Sequence, residues 1–251
     1  MKIKIKTTKE IDIMRHNGHV LALILKELKK IAKPGISGKT LENLANKLIK
    51  EHGGTPSFKG FSGYPASLCF SINEEIVHAL PRKDKVIREG DLVSLDLGFY
   101  KNGFHSDAAI SFATPPVSKE VLRLLSATKK ALDLAIKNIR PDTRLGTISA
   151  IIEKTIEEQG FSVIKELTGH GVGKDLHEEP CVLNYSSHEL GPLLKQGMTL
   201  AIEPMASLGS DRIKKGKDGF SYETKDGSLS AHFEHTIAIT ENGCEILTQY
   251  S

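Results

Sequence analysis

The chain carries a diverged copy of part of itself. The segment from Lys33 to Gly53 aligns without gaps to the segment from Arg140 to Gly160, at an offset of 107 residues (141 − 34). Pro34 meets Pro141, Thr40 meets Thr147, Lys47 meets Lys154, Ile49 meets Ile156, Glu51 meets Glu158 and Gly53 meets Gly160. Two amphipathic helices share a period in any case, so helical patterning alone explains part of the match. Proline and glycine punctuating both copies are what argue for duplication. Each copy follows another stretch with apolar residues at helical spacing: Glu10 to Ala32, with Ile13, Val20, Ile24, Leu28 and Ile31, and Lys119 to Ile139, with Val121, Leu124, Leu125, Leu132 and Ile136. Each half therefore reads helix, proline-containing turn, helix, glycine, then strands. No linker or low-complexity stretch parts them, so residues 1–251 read as a single catalytic domain of two pseudo-symmetric halves, about 8–112 and 118–248.

The strands are plain. Asp91 to Tyr100 alternates, with Val93, Leu95, Leu97 and Phe99 on one face and Ser94, Asp96 and Gly98 on the other. Asn102-Gly103 is a hairpin turn signal, and Phe104 to Phe112 returns. Met198 to Ile202 and Ala231 to Thr240 are further strands. Runs of helix separated from runs of strand predict an α+β fold, with an antiparallel sheet and helices on one face.

Composition narrows the setting. Apolar residues at 39% and charged residues at 26% suit a soluble globular protein. No apolar run reaches the ~18 residues of a membrane span, and the N-terminus lacks the apolar core of a signal peptide. A net charge of +3 is too mild to argue for nucleic acid. Cys69, Cys181 and Cys244 are few and odd in number, so reduced thiols in a cytoplasmic protein are expected.

Acids in apolar strands need a reason. If Asn102-Gly103 is the two-residue turn, Gly98 faces Asp107, and Asp96 lies diagonally from Asp107 on the same face, roughly 7–8 Å away between backbones. Two carboxylates so placed repel unless a cation lies between them. Thr168 to Pro180 packs His170 and His177 among three glycines, Glu203 ends an apolar run ahead of Pro204, and Glu234 sits inside a strand between Phe233 and His235. Oxygen donors with one imidazole suit hard or borderline divalent ions, Mn, Fe(II), Co or Zn, better than a thiolate site would.

These residues resemble the methionine aminopeptidase, or pita-bread, metallopeptidase family, whose ligands run Asp, Asp, His, Glu, Glu in chain order. The resemblance lies in Leu95 to Gly98, Gly103 to Asp107, Gly169 to Gly173, His177 to Pro180, Ile202 to Met205 and Phe233 to Thr236, in order along nearly the whole chain. It implies the pseudo-twofold pita-bread fold, two divalent ions, and removal of the initiator methionine from nascent chains whose second residue is small, by a hydroxide that the two ions activate. By the same resemblance Asp96 holds one ion, Asp107 and Glu234 bridge, and His170 and Glu203 complete the other shell, with Glu203 also shuttling the proton. His78 and His177 would contact the substrate amide and the tetrahedral intermediate. Phe58, Phe61, Tyr64, Cys69, Leu176 and Phe220 would line an apolar pocket for the first side chain.

Among relatives, the prolidase-like branch usually carries an extra N-terminal domain, for which too little chain precedes Asp96, and a helical insertion that marks type II enzymes has no room between Glu203 and Glu234. With no Cys-rich N-terminal extension, the chain resembles the bacterial or organellar type I. A monomer in the cytoplasm, with no membrane partner, is the family expectation. The basic segment Arg212 to Lys217 reads as a solvated loop, with contact to ribosomal RNA as the alternative, and the ribosome near its exit tunnel is a partner consistent with the resemblance.

Overall fold

The computed structural model describes residues 3–249; Met1, Lys2, Tyr250 and Ser251, the ends of the expected 1–251 domain, lie outside the described residues. Four helices back the molecule: α1 (Thr8–Ile31), α2 (Gly38–Glu51), α3 (Lys119–Asn138) and α4 (Leu145–Glu157). The strands are β1 (Thr55–Pro56), β2 (Leu68–Ile72), β3 (Glu75–Val77), β4 (Leu92–Lys101), β5 (Phe104–Ala113), β6 (Ser162–Val163), β7 (Gly169–Gly171), β8 (Glu178–Val182), β9 (Thr199–Ile202), β10 (Met205–Ser207), β11 (Ile213–Lys215), β12 (Tyr222–Thr224), β13 (Ser230–His232), β14 (Glu234–Thr240) and β15 (Gly243–Ile246). Among the described residues, no helix is long and apolar enough to cross a membrane.

Local chemistry starts the helices. α1 begins two residues earlier than its apolar period suggests, because Thr7 and Glu10 form a capping box: the Glu10 amide donates to Thr7 Oγ1 (3.3 Å) and the Thr7 amide to Glu10 Oε2 (2.8 Å). Ser37 and Ser118 cap α2 and α3 in the same sense, each worth about 1 kcal/mol. α4 has Arg144 where α2 has Ser37, and its first amides are met by backbone instead: Leu145 donates to Pro192 O (3.0 Å) and Gly146 to Leu190 O (2.9 Å). The turns ahead of α2 and α4 share their wiring. Gly38 donates to Lys85 O and Leu145 to Pro192 O; Ile87 donates to Ile36 O and Leu194 to Thr143 O. The isolated bridges Ser37–Val86 and Arg144–Leu193 follow the same 107-residue shift as the sequence repeat.

The fold is α+β. A nine-stranded antiparallel sheet runs β1-β4-β5-β14-β9-β7-β8, with β2 added to β4 and β15 to β14. Strand alternation sorts its faces. Val93, Leu95, Leu97 and Phe99 pack on the buried stripe of α1 and α2, among them Leu21, Ile24, Leu28 and Leu41. Leu200, Ile202, Ile237 and Ile239 pack likewise on α3 and α4. Each such buried aliphatic side chain contributes roughly 1.5–3 kcal/mol. Residues of opposite parity, Asp96, Asp107 and Glu234 among them, are left on the face away from the helices.

Two features of the sheet set up that face. The stretch Ala231 to Thr240, expected as one strand, is broken at Phe233: β13 pairs with β10 in a separate three-stranded sheet, and β14 joins the main one. The break matches one between β9 and β10, where Pro204 has no N–H to continue the ladder. Ser111 holds the step, accepting the His232 amide (2.9 Å) and donating to His232 O (2.7 Å). Second, β5 and β14 are joined only at Glu234↔Ala109 and His235↔Ala108. The Thr236 hydroxyl extends this short ladder, accepting the Asp107 amide (2.9 Å) and donating to Asp107 O (2.8 Å).

Candidate active site

The hairpin register is the expected one, with Gly98↔Asp107 and Asp96↔Ala109 opposite each other. Cys69 on β2 lies across from Asp96. Glu234 opens β14, and Glu203 sits at the break after β9, where its carbonyl accepts from Asn184 Nδ2 (3.0 Å). His170 is the middle residue of β7, beside β9. These elements bring Asp96, Asp107, His170, Glu203 and Glu234 to the lining of one cavity of about 400 Å³.

Ligand atoms of Asp107, His170 and Glu234 lie within 4.8 Å of one another. His170 Nε2 is 3.4 Å from Glu203 Oε1 and 4.0 Å from Asp107 Oδ2. Its Nδ1 lies 2.9 Å from Gly171 O, a bond that places the proton on Nδ1 and leaves the Nε2 lone pair facing the acids. Asp96 Oδ1, Asp107 Oδ1 and Glu234 Oε1 are buried with no hydrogen-bond partner. Among the described residues none of the four acids pairs with a lysine or arginine. Burial, and then their mutual repulsion, drive Asp107 and Glu234 well above the ordinary carboxylate range. Burial alone does the same to Glu203, while Asp96, pushed up by burial and drawn down by His232, stands at about 7. Burial pushes His170 down to about 3, keeping it neutral. Four buried acids around one neutral imidazole, with unmet oxygens, are costly unless a cation joins them. The donor set fits a divalent metal.

The cavity wall is apolar. Phe58, Tyr64, Cys69 and Leu176 are buried together, with Phe220 packed against them. Tyr64 and Phe220 meet edge to face at 5.6 Å, and burial raises both the Tyr64 phenol and the Cys69 thiol above their ordinary values. Gly98 must be glycine here: a Cβ would stand 2.8 Å from the Phe58 ring and 2.5 Å from Ser57 Cβ. Phe61 is at the rim, 41% exposed, with its ring 4.9 Å from that of His177. His78 follows β3 in the left-handed region (φ 58), a strained setting for a side chain of its size. Burial, then the neighbouring His232 and His177, lower it to about 4; burial also lowers His177.

Residues that sequence reading passed over also gather here. His232, fully buried, has Nε2 3.6 Å from Glu203 Oε2. Its spacing carries the signal, two residues before Glu234. Tyr222 and Met205 line the cavity from short strands that show no periodicity. The expected basic loop is partly strand: β11 pairs with β12, Lys214 lies 3.7 Å from Glu223, and Lys215 sits over the Tyr222 ring at 4.0 Å.

Residues 12–241 match the family model of metallopeptidase family M24. Over 244 residues the chain is 46% identical to methionine aminopeptidase 1 of Bacillus subtilis, covering 97% of this chain and 98% of that one. The crystal structure of a methionine aminopeptidase from Thermotoga maritima superposes with a TM-score of 0.97 at 45% identity, covering 99% of this chain and all of the other, 100%. A prolidase from Pyrococcus horikoshii, at 22% identity and a TM-score of 0.80, covers 98% of this chain and is itself covered over 64%, which shows a shared fold alone.

Proposed function

The chain belongs to metallopeptidase family M24 and groups with its methionine aminopeptidases, and from that premise we propose that it removes the initiator methionine from nascent polypeptides whose second residue is small. The fold is that family's pita-bread fold, and the protein is a metal-dependent hydrolase. The observation that carries the substrate reading is the pairing of unmet carboxylate oxygens with an apolar wall in one cavity.

Asp96, Asp107, His170, Glu203 and Glu234 would hold two divalent ions, Co, Mn, Fe(II) or Zn, whose chemistry supplies a hydroxide near neutral pH and polarises the scissile carbonyl. Glu203 takes the proton of the attacking water at a carboxylate oxygen and passes it to the leaving amine. The free α-amine of the substrate lies toward Asp96, which restricts cleavage to the first residue. His78 and His177, neutral at pH 7 because they are buried, donate N–H to the substrate amide and to the developing oxyanion. Phe58, Phe61, Tyr64, Cys69, Leu176 and Phe220 bury the thioether, worth roughly 1.5–3 kcal/mol. We read the chain as one catalytic domain of two halves, about 8–112 and 118–248, acting as a cytoplasmic monomer on chains emerging from the ribosome.

The test is methionine release from Met-Ala-Ser, Met-Lys-Ser and X-Pro peptides by metal-free protein titrated with Mn, Fe(II), Co and Zn. Fast turnover of Met-Ala-Ser with Met-Lys-Ser left intact is expected. Equal turnover of the two ends the maturation role, and faster cleavage of Ala-Pro moves the chain to the X-prolyl branch.

A further inference from the structure

We propose that Lys6, through a buried ion pair with Glu178, is the positioning residue for His177. The kinetic half of this proposal rests on the reading of His177 as a substrate-contacting residue; the structural half does not. His177 and Glu178 are consecutive at the entry to β8, and neighbours in extended chain point to opposite sides. His177 lines the active-site cavity, whereas Glu178 lines a second cavity of about 540 Å³ formed with Ile3, Lys4, Lys6 and Phe104. One backbone step separates the two spaces.

The His177 ring has little to orient it from its own side. Among the described residues it touches Phe61 at 4.9 Å and His170 at 4.1 Å, and makes no side-chain hydrogen bond. Its direction is inherited from the peptide that Glu178 anchors. The Glu178 side chain is 1% exposed and Lys6 4%, with Nζ 2.5 Å from Oε2. The other carboxylate oxygen accepts the Asp175 amide (3.3 Å), closing the turn that carries Leu176 and His177, and also accepts from the half-exposed Lys4 ammonium (3.3 Å). Gly173 leaves space for the pair, since a Cβ there would stand 2.5 Å from Lys6 Cε and 2.8 Å from Glu178 Oε1.

The pair is tied to the sheet as well. The Lys6 amide donates to Gly197 O (2.8 Å), and the Gly197 amide to Ile239 O (2.9 Å) on β14, the strand that begins with Glu234. The link thus runs from the strand of a proposed metal ligand, through Gly197 and Lys6, to the turn of His177. Burial pulls the Lys6 ammonium below its ordinary range and Glu178 opposes that pull. Losing Glu178 strands the Lys6 ammonium in the interior, and losing Lys6 leaves Glu178 with the half-exposed Lys4 alone, so the buried pair is what holds the turn at one setting.

The experiment compares wild type, Lys6→Met, Lys6→Arg and Glu178→Gln as metal-loaded proteins. It measures kcat and KM on Met-Ala-Ser, metal equivalents, and hydrogen exchange of peptides covering 173–178 and 92–113. In Lys6→Met, exchange over 173–178 is expected to rise about tenfold or more while 92–113 is unchanged. Its kcat is expected to fall about tenfold to a hundredfold, with metal content intact and KM changed little; Lys6→Arg restores most of kcat. Should Lys6→Met not fold, Glu178→Gln carries the same split. Unchanged exchange over 173–178, or faster exchange in both segments with metal lost, overturns the proposal. An inert wild type refutes the aminopeptidase reading, and the exchange result still decides the tether.

Discussion

The floor and the wall of the active-site cavity are built on different principles. Asp96, Asp107 and Glu234 stand on strands whose ladders fix them to a register, with Glu203 at a strand end held by Asn184. Of the wall, Cys69 stands on a regular strand, but Phe58, Tyr64, Leu176 and Phe220 stand on turns and irregular segments, and Phe61 on a single turn of 3-10 helix. A one-residue slip in β4 or β5 would turn that strand's acid, Asp96 or Asp107, toward the helices, whereas a loop can shift by an ångström and still bury a side chain. The floor is therefore suited to holding charge at fixed points, and the wall to accommodating shape.

The largest effect expected on this division is at the floor. Asp107→Ala should lower kcat/KM on Met-Ala-Ser by at least ~1000-fold, with loss of bound metal by elemental analysis. Full activity after that change would erase the distinction. Next come the two histidines between floor and wall. His177→Ala and His78→Ala are expected to lose ~100- to 10,000-fold in kcat yet keep their metal equivalents, and loss of metal in folded protein would move them to the floor.

Wall changes should act on selectivity. Phe220→Ala removes apolar contact from the proposed first-residue pocket and should reduce the preference for Met-Ala-Ser over Ala-Ala-Ser by about tenfold, leaving metal content alone; a kcat collapse on both substrates would show the wall doing the floor's work. The smallest expected effect is on stability. The floor acids have folded-state pKa values raised above the ordinary range, Asp96 to about 7. Stability from such groups is whole below about pH 4 and is lost as pH rises through the raised values. The buried histidines, with lowered values, act oppositely below about pH 6.5. Metal-free protein should therefore lose melting temperature between about pH 6.5 and 8, by about 2–4 °C per kcal/mol, and Phe220→Ala should keep that slope. Melts that are flat or rise over that window would count against unmet charge at the floor.

The same division explains what could be read without coordinates. The β4–β5 hairpin was legible because period two and Asn102-Gly103 fix both face and register, and the diagonal of Asp96 and Asp107 follows from arithmetic. The paired helices were legible from apolar spacing, proline and glycine. The switch of sheets at Phe233 was not: both flanks alternate, and the break depends on Ser111, far away in sequence. His232 carried a spacing signal, two residues before Glu234, but its approach to Glu203 depends on that break. Tyr222 and Met205 stand on strands of three residues, too short for a period. Membership of the wall by Phe58 through Phe220 came from family resemblance, since loop conformation has no spacing rule.

Where β5 meets β14, two residue pairs and one hydroxyl join the part of the sheet that α1 and α2 back to the part that α3 and α4 back. In mechanical terms this short joint is expected to be a weak line across the sheet. Thr236 serves as a side-chain rung there, so a methyl in place of its hydroxyl shortens the joint without altering the shape. Under load Thr236→Val would tear at lower force, and the tear would open between Asp107 and Glu234, turning a loss of one hydroxyl into a loss of catalytic alignment.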